Sequence, residues 1–216
     1  MDQVLIYSDS LSWGIVPGTR KRLGFEHRWG GVFENTLNNS GQKVRVIENC
    51  LNGRRTVWGD PFKPGRNGAE FLAQSVEMHS PLALIIIMLG TNDFQCTHEN
   101  NAWLSAQGVA TLIKIVREAQ IEPGMPIPPI LVISPPRIHQ AKGAIANKFL
   151  GAEKRCAGFS EALREMATAQ DVSFFCANSV VSSSVVDGIH LDEPDHNVLG
   201  RALAEWVMTE NLLKPR

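Results

Sequence analysis

Residues 83–93 read Ala83-Leu84-Ile85-Ile86-Ile87-Met88-Leu89-Gly90-Thr91-Asn92-Asp93: seven apolar residues without a break, then a glycine and three polar residues. A strand with one face in water alternates apolar and polar side chains, so an unbroken β-branched run belongs to a strand covered on both faces. The sharp Gly-Thr-Asn-Asp ending places a polar turn at its carboxyl end. Val4-Leu5-Ile6 and Leu131-Val132-Ile133 are continuous in the same way. Five apolar runs in all, 3–7, 43–47, 83–89, 130–133 and 172–176, read as strands. Apolar residues at steps of three and four predict helices between them over 28–39, 68–79, 102–119, 152–169 and 195–208, the last with Asp192 as N-cap and Pro194 in its first turn. The order β-α-β-α-β-α-β-α-β predicts an α/β fold. It is a three-layer α/β/α sandwich on a doubly wound, flavodoxin-like parallel sheet of about five strands, with residues 1–216 forming a single domain.

Composition narrows the function classes. The chain has 216 residues, 44% hydrophobic and 20% charged, which is globular and not disordered. Lysine and arginine number 21 against 22 aspartate and glutamate, a net charge of −1, and no basic stripe extends beyond Arg20-Lys21-Arg22 and Arg54-Arg55. Nucleic acid is therefore not an expected partner. The longest apolar run, 81–89, is too short to span a bilayer, so no membrane partner is expected. Met1-Asp2 leads straight into the first strand without a secretory signal. Cys50, Cys96, Cys156 and Cys176 lack metal-like spacing and read as reduced thiols, which predicts a cytoplasmic location without metal or cofactor.

In a doubly wound sheet the chemistry collects outside the carboxyl ends of the strands. Four polar clusters follow apolar runs there: Ser8-Asp9-Ser10, Asn49 to Thr56, Gly90-Thr91-Asn92-Asp93, and Asp187-Gly188-Ile189-His190. Asp187 and His190 are three apart, a spacing that puts a carboxylate beside an imidazole on one side of a turn. Such a pair fixes the imidazole tautomer and stabilises the imidazolium formed during proton abstraction, and a serine hydroxyl needs that base to become a nucleophile. The Gly-x-Ser-x-Gly elbow is absent, because Ser8 and Ser12 flank Ser10. Asp9 and Asp93 read as turn caps that orient Ser10 and Asn92. His27, His79, His98, His139 and His196 have no partner motif and read as surface or structural.

These blocks resemble the GDSL or SGNH hydrolases. Ser8-Asp9-Ser10-Leu11, Asn52-Gly53, Gly90-Thr91-Asn92-Asp93 and Asp187-Gly188-Ile189-His190 follow the order of that family's four motifs. Trp13-Gly14, Arg28-Trp29, Asn67-Gly68 and Ser134-Pro135-Pro136 are similar to its bacterial arylesterase/acyltransferase branch. The resemblance implies Ser10 as nucleophile with Asp187 and His190, and an oxyanion hole made of the Ser10 N–H, the Gly53 N–H and the Asn92 side chain. Ser8 stands where the family usually has glycine; serine is small enough that the turn is expected to survive. Leu11, Ile15, Thr91, Phe94 and Ile189 flank these positions and are candidates to line a substrate pocket.

The implied activity is hydrolysis of small aryl or short-chain alkyl esters through an acyl-enzyme, with water or an alcohol as acceptor. Three readings stay beside it: a carbohydrate or peptidoglycan O-acetyl esterase using the same groups, a flavodoxin-like binding module that would leave Asn92 and the Asp187–His190 pair unemployed, and a pseudoenzyme scaffold, against which intact Ser10, Asp187 and His190 argue. The loop 59–68, with Trp58 and Phe62, predicts an exposed aromatic contact element and a homo-oligomer.

Overall fold

The computed structural model describes residues 1–213. Its elements, in chain order, are β1 (Asp2–Ser8), α1 (Ser10–Trp13), α2 (Trp29–Asn39), β2 (Val44–Cys50), α3 (Leu72–His79), β3 (Leu84–Met88), α4 (Ala102–Glu118), β4 (Ile130–Ser134), α5 (Ala152–Arg155), α6 (Phe159–Ala169), β5 (Ser173–Cys176) and α7 (Glu193–Thr209). The five strands form one parallel sheet in the order β2-β1-β3-β4-β5. This is the doubly wound order expected from the alternating runs.

The continuous runs are explained by the two cores. Successive strand residues point to opposite faces, so Leu5, Tyr7, Ile85, Ile87 and Val132 join one cluster with residues of α3, α4 and α6. Val4, Ile6, Ile86, Met88, Leu131 and Ile133 join the other with Trp29, Phe33 and Leu37 of α2 and Leu199, Leu203 and Val207 of α7. Every residue of β3 and β4 is buried. Both faces of these strands pack on apolar side chains, which is why the alternation typical of a half-exposed sheet is missing. The polar exception, Ser134, lies at the carboxyl end of β4, where its hydroxyl meets that of Ser160 at 2.7 Å.

Two boundaries differ from the periodicity. The helix expected over 152–169 is two helices, α5 and α6, because Gly158 takes φ +78°, a left-handed conformation that ends one helical path and starts another. The helix expected from residue 68 begins only at Leu72, since residues 67–70 are held in a turn by the Asn67 side chain, which accepts from the Ala69 N–H.

Strand register positions the site. Ser8 pairs with Cys50 on one side and with Met88 on the other. Ser10, Gly53 and Asn92 follow this row by two, three and four residues, so one level of the sheet delivers all three to one rim. The strand order reverses between β1 and β3, the switch point at which two adjacent carboxyl-end loops diverge and leave a crevice.

Candidate active site

The first loop is set by Asp9. Its carboxylate accepts from the Leu11 N–H at 2.9 Å and caps the single turn of α1, which starts at Ser10. Ser8 remains in extended β1 and its hydroxyl donates to the Met88 carbonyl. Ser12 donates to Ser8, and the Trp29 indole N–H donates to Ser12. The turn therefore survives with serine in place of glycine: Ser8 is not among the residues at positive φ, and its hydroxyl both donates and accepts a hydrogen bond.

Asp187 and His190 lie in the segment between β5 and α7. Asp187 Oδ1 accepts from the Ile189 and His190 N–H groups at 3.0 and 2.9 Å, folding the carboxylate back over its own turn. Its other oxygen lies 2.7 Å from His190 Nδ1 and accepts a long 3.3 Å bond from the Gly18 N–H. His190 Nε2 lies 3.1 Å from Ser10 Oγ. Burial raises the Asp187 pKa, but the His190 hydrogen bond and charge and the two backbone donors outweigh it and hold the carboxyl at about 2. An ionised Asp187 accepts the Nδ1 proton, which leaves Nε2 as the acceptor facing the serine. Ser10 and His190 are only 8% and 7% exposed, so access to this dyad is narrow.

Asn92 sits on the turn after β3, entered through Gly90 at φ +119°. A Cβ at Gly90 would lie 2.3 Å from the Phe159 ring, so both conformation and space require glycine there. The Asn92 amide nitrogen donates to Asp9 Oδ2 at 2.8 Å and to the Arg54 carbonyl at 3.1 Å. Its carbonyl oxygen accepts from Gln95 Nε2 at 2.6 Å. Gly53 adopts φ +83°, and among the described residues neither its N–H nor that of Ser10 has a protein acceptor.

The loop carrying Gly53 is pinned by two buried arginines that have no motif signature. The Arg54 guanidinium stacks 3.9 Å from the Tyr7 ring centre and donates to Ser8 O and Asn49 Oδ1. Arg55 donates to the Gly59 carbonyl, Gln95 Oε1 and Thr97 Oγ1. Asp93 departs from its expected role. Its side chain makes no hydrogen bond to Asn92; it accepts from the Thr56 N–H, the Thr56 hydroxyl and the Ser105 hydroxyl, tying the 54–56 loop to α4. Desolvation raises Asp9 and Asp93 each to about 6, against the pull of their donors.

The five pocket candidates separate. Thr91 and Phe94 line a cavity of about 380 Å³ with Pro135, Ile138, Cys156 and Phe159. Leu11, Ile15 and Ile189 are buried but do not line it, and neither do Ser10, Asp187 and His190. Trp58 also differs from expectation: it is half-buried with its ring 5.9 Å from His98, whereas Phe62 on the same loop is 84% exposed. Among the described residues no group of three or more His, Cys, Asp or Glu could hold a metal ion, and no helix is long and apolar enough to cross a membrane.

Comparison with known proteins gives the family and the fold. Residues 9–204 match the model of the GDSL-like lipase/acylhydrolase family. The native aryl esterase of M. smegmatis is 35% identical, with a TM-score of 0.90 over 97% of this chain and 99% of that one. Est24, a carbohydrate acetylesterase from Sinorhizobium meliloti, is 30% identical, with a TM-score of 0.91 over 97% of this chain and all of that one. The lipase/acylhydrolase of Enterococcus faecalis, at 16% identity and a TM-score of 0.66, shares the fold. No curated protein sequence matches. The chain belongs to the GDSL-like lipase/acylhydrolase family and is a carboxylic ester hydrolase.

Proposed function

We propose that Ser10, His190 and Asp187 form the catalytic triad of a single-domain esterase acting on small aryl or short-chain alkyl esters. The observation that carries this reading is the relay from Ser10 Oγ to His190 Nε2 at 3.1 Å and from His190 Nδ1 to Asp187 Oδ2 at 2.7 Å. Ser10 Oγ attacks the ester carbonyl carbon while its proton passes to Nε2. The imidazolium then gives that proton to the departing alkoxide or phenoxide. Water then attacks the acyl carbon as its proton passes to the same nitrogen; the bond from that carbon to Ser10 Oγ breaks, the imidazolium returns the proton to Oγ, and the acid leaves.

The oxyanion formed in each half meets the Ser10 and Gly53 N–H groups, whose hydrogens have no protein acceptor. The third donor is the Asn92 amide. Its bond to Asp9 is the shorter one; the 3.1 Å contact to the Arg54 carbonyl is the one a full negative charge displaces. A neutral amide suits this place, because a carboxylate would repel the charge it must stabilise.

The small exposure of Ser10 and His190 favours compact acyl groups. A chain-length series of p-nitrophenyl esters tests this: kcat/KM should fall beyond short acyl chains, and a preference for long chains would overturn it. The arylesterase likeness favours aryl and simple alkyl esters; acetylated sugars assayed against phenyl acetate separate this from the carbohydrate reading.

The acyl-enzyme can also be released by an alcohol. An apolar, restricted approach favours that outcome over water, and contacts between copies of the chain supply one. The exposed Phe62, Trp103 and Leu150 support a homo-oligomer, with Phe62 rather than Trp58 as the contact aromatic. Light scattering, together with product partitioning in water containing a primary alcohol, tests both parts. A monomer that yields only free acid refutes them. The four free cysteines fit a cytoplasmic location, which fractionation of the native cells checks.

A further inference from the structure

We infer that Gln95, held by the buried guanidinium of Arg55, is a positioning residue that fixes which end of the Asn92 amide faces the oxyanion. This rests on the oxyanion role proposed for Asn92 and extends it to residues outside the family's motif blocks.

An amide side chain can be turned over at little cost in shape, exchanging a donor for an acceptor. In the oxyanion hole that exchange would put a carbonyl dipole against a negative charge. The structure removes the ambiguity from one end of a chain of bonds. Arg55 has only donors, so the Gln95 atom 2.7 Å from Arg55 Nη2 must be its oxygen. Gln95 therefore presents its NH2 to Asn92, 2.6 Å away, and Asn92 must answer with Oδ1. The Asn92 NH2 is left facing Asp9 and Arg54 O.

Arg55 and Gln95 are fully buried and Asn92 nearly so, which strengthens each bond and makes a mismatched pair costly. Thr97 Oγ1, Gly59 O and Asp60, whose carboxylate is 3.7 Å away, hold the guanidinium in place. Asp9 supports the same orientation from the other end, but burial lifts its carboxyl to about 6, and a protonated Asp9 would tolerate the reversed amide. Arg55 keeps its charge at every working pH. The Gln95 end of the chain therefore does not titrate, and the Arg54 carbonyl, an acceptor only, favours the same orientation from the other side.

The test compares Gln95→Glu, Gln95→Met, Asn92→Ala and the double variant Asn92→Ala/Gln95→Glu, with p-nitrophenyl acetate as substrate and an aryl trifluoromethyl ketone as oxyanion-forming inhibitor. The carboxylate introduced by Gln95→Glu pairs with Arg55 but offers Asn92 only acceptor oxygens. We expect kcat to fall by ~10²-fold in Gln95→Glu with KM nearly constant, and inhibitor affinity to fall by a similar factor. The double variant should be no slower than Asn92→Ala alone, because the lock has nothing left to orient. Gln95→Met, which keeps volume without a donor, should lose ~10-fold in kcat and decides the question if the glutamate variant does not fold. If Asn92→Ala is slow but both Gln95 variants turn over like wild type, or if the losses multiply in the double variant, Gln95 has no positioning role. If Asn92→Ala itself keeps its kcat, the oxyanion reading fails first.

Discussion

The Asn92 amide donates to the carboxylate of Asp9 across 83 residues of sequence, at 2.8 Å. This bond joins the loop after β1 to the loop after β3. The side chain beside the nucleophile therefore also steers the side chain proposed to meet the oxyanion. The Asp9 Oδ1 that caps α1 and the Oδ2 that takes the Asn92 amide belong to one rigid carboxylate, so displacing either loop disturbs the other.

Removing the nucleophile should leave the fold intact. Ser10→Ala is expected to lower turnover by ~10³–10⁶-fold, since only the attacking oxygen is lost. A fluorophosphonate probe should label wild type and not the variant. Labelling that persists would identify another serine as the nucleophile.

Asn92→Ala should reduce kcat by ~10²-fold or more with a smaller change in KM, because the donor acts on charge that appears only in the transition state. Steady-state kinetics checks this, and a change confined to KM would make Asn92 a substrate-binding residue instead.

His196 gives a stability prediction with a definite sign. It is buried in the first turn of α7, its Nδ1 accepts from the Trp29 N–H at 3.3 Å, and its Nε2 has no partner. Desolvation, with the nearby positive charges of Arg28 and His190, pushes its pKa down to about 4. The unfolded chain therefore binds this proton below about 6.5 while the folded protein refuses it until about 4. Stability from His196 is fully present above about 6.5 and is lost as pH falls toward 4. Asp9 and Asp93, raised to about 6, act oppositely: the folded state takes their protons first, so their burial becomes less costly over the same fall. His196→Gln should isolate the first effect. Its melting temperature relative to wild type should become steadily more favourable from about pH 7 to about pH 4.5. A constant difference between the two would show that His196 does not titrate with folding.

Gly90→Ala should destabilise the protein by about 2–4 kcal/mol, from the positive φ and the collision with Phe159. Urea unfolding measures it, and a midpoint within error of wild type would mean that the turn re-forms around the methyl group.

Much of this architecture is legible in the chain because it depends on local pattern. Continuous runs such as 84–88 mark strands buried on both faces, and their alternation with helical periods is enough to imply the doubly wound sheet. Asp187 and His190 are close in sequence, so their pairing is readable from spacing. Ser10 and Asn92 are recognisable only as members of ordered blocks. The break between α5 and α6 is hidden because the apolar period runs on through Gly158, and only the backbone angle reveals the stop.

The layers, the strand ends and the residue types delivered to the rim follow from hydrophobic period and from turn-forming side chains, both local properties of the chain. Tertiary structure alone decided the inward turn of Trp58, the redirection of Asp93 onto Thr56 and Ser105, and the direction of the Asn92 amide. Each of these depends on which buried donor meets which acceptor across tens of residues. Gln95 and Arg55 are 40 residues apart and carry no spacing signal, and only when packing removes water does the guanidinium dictate how both amides must point.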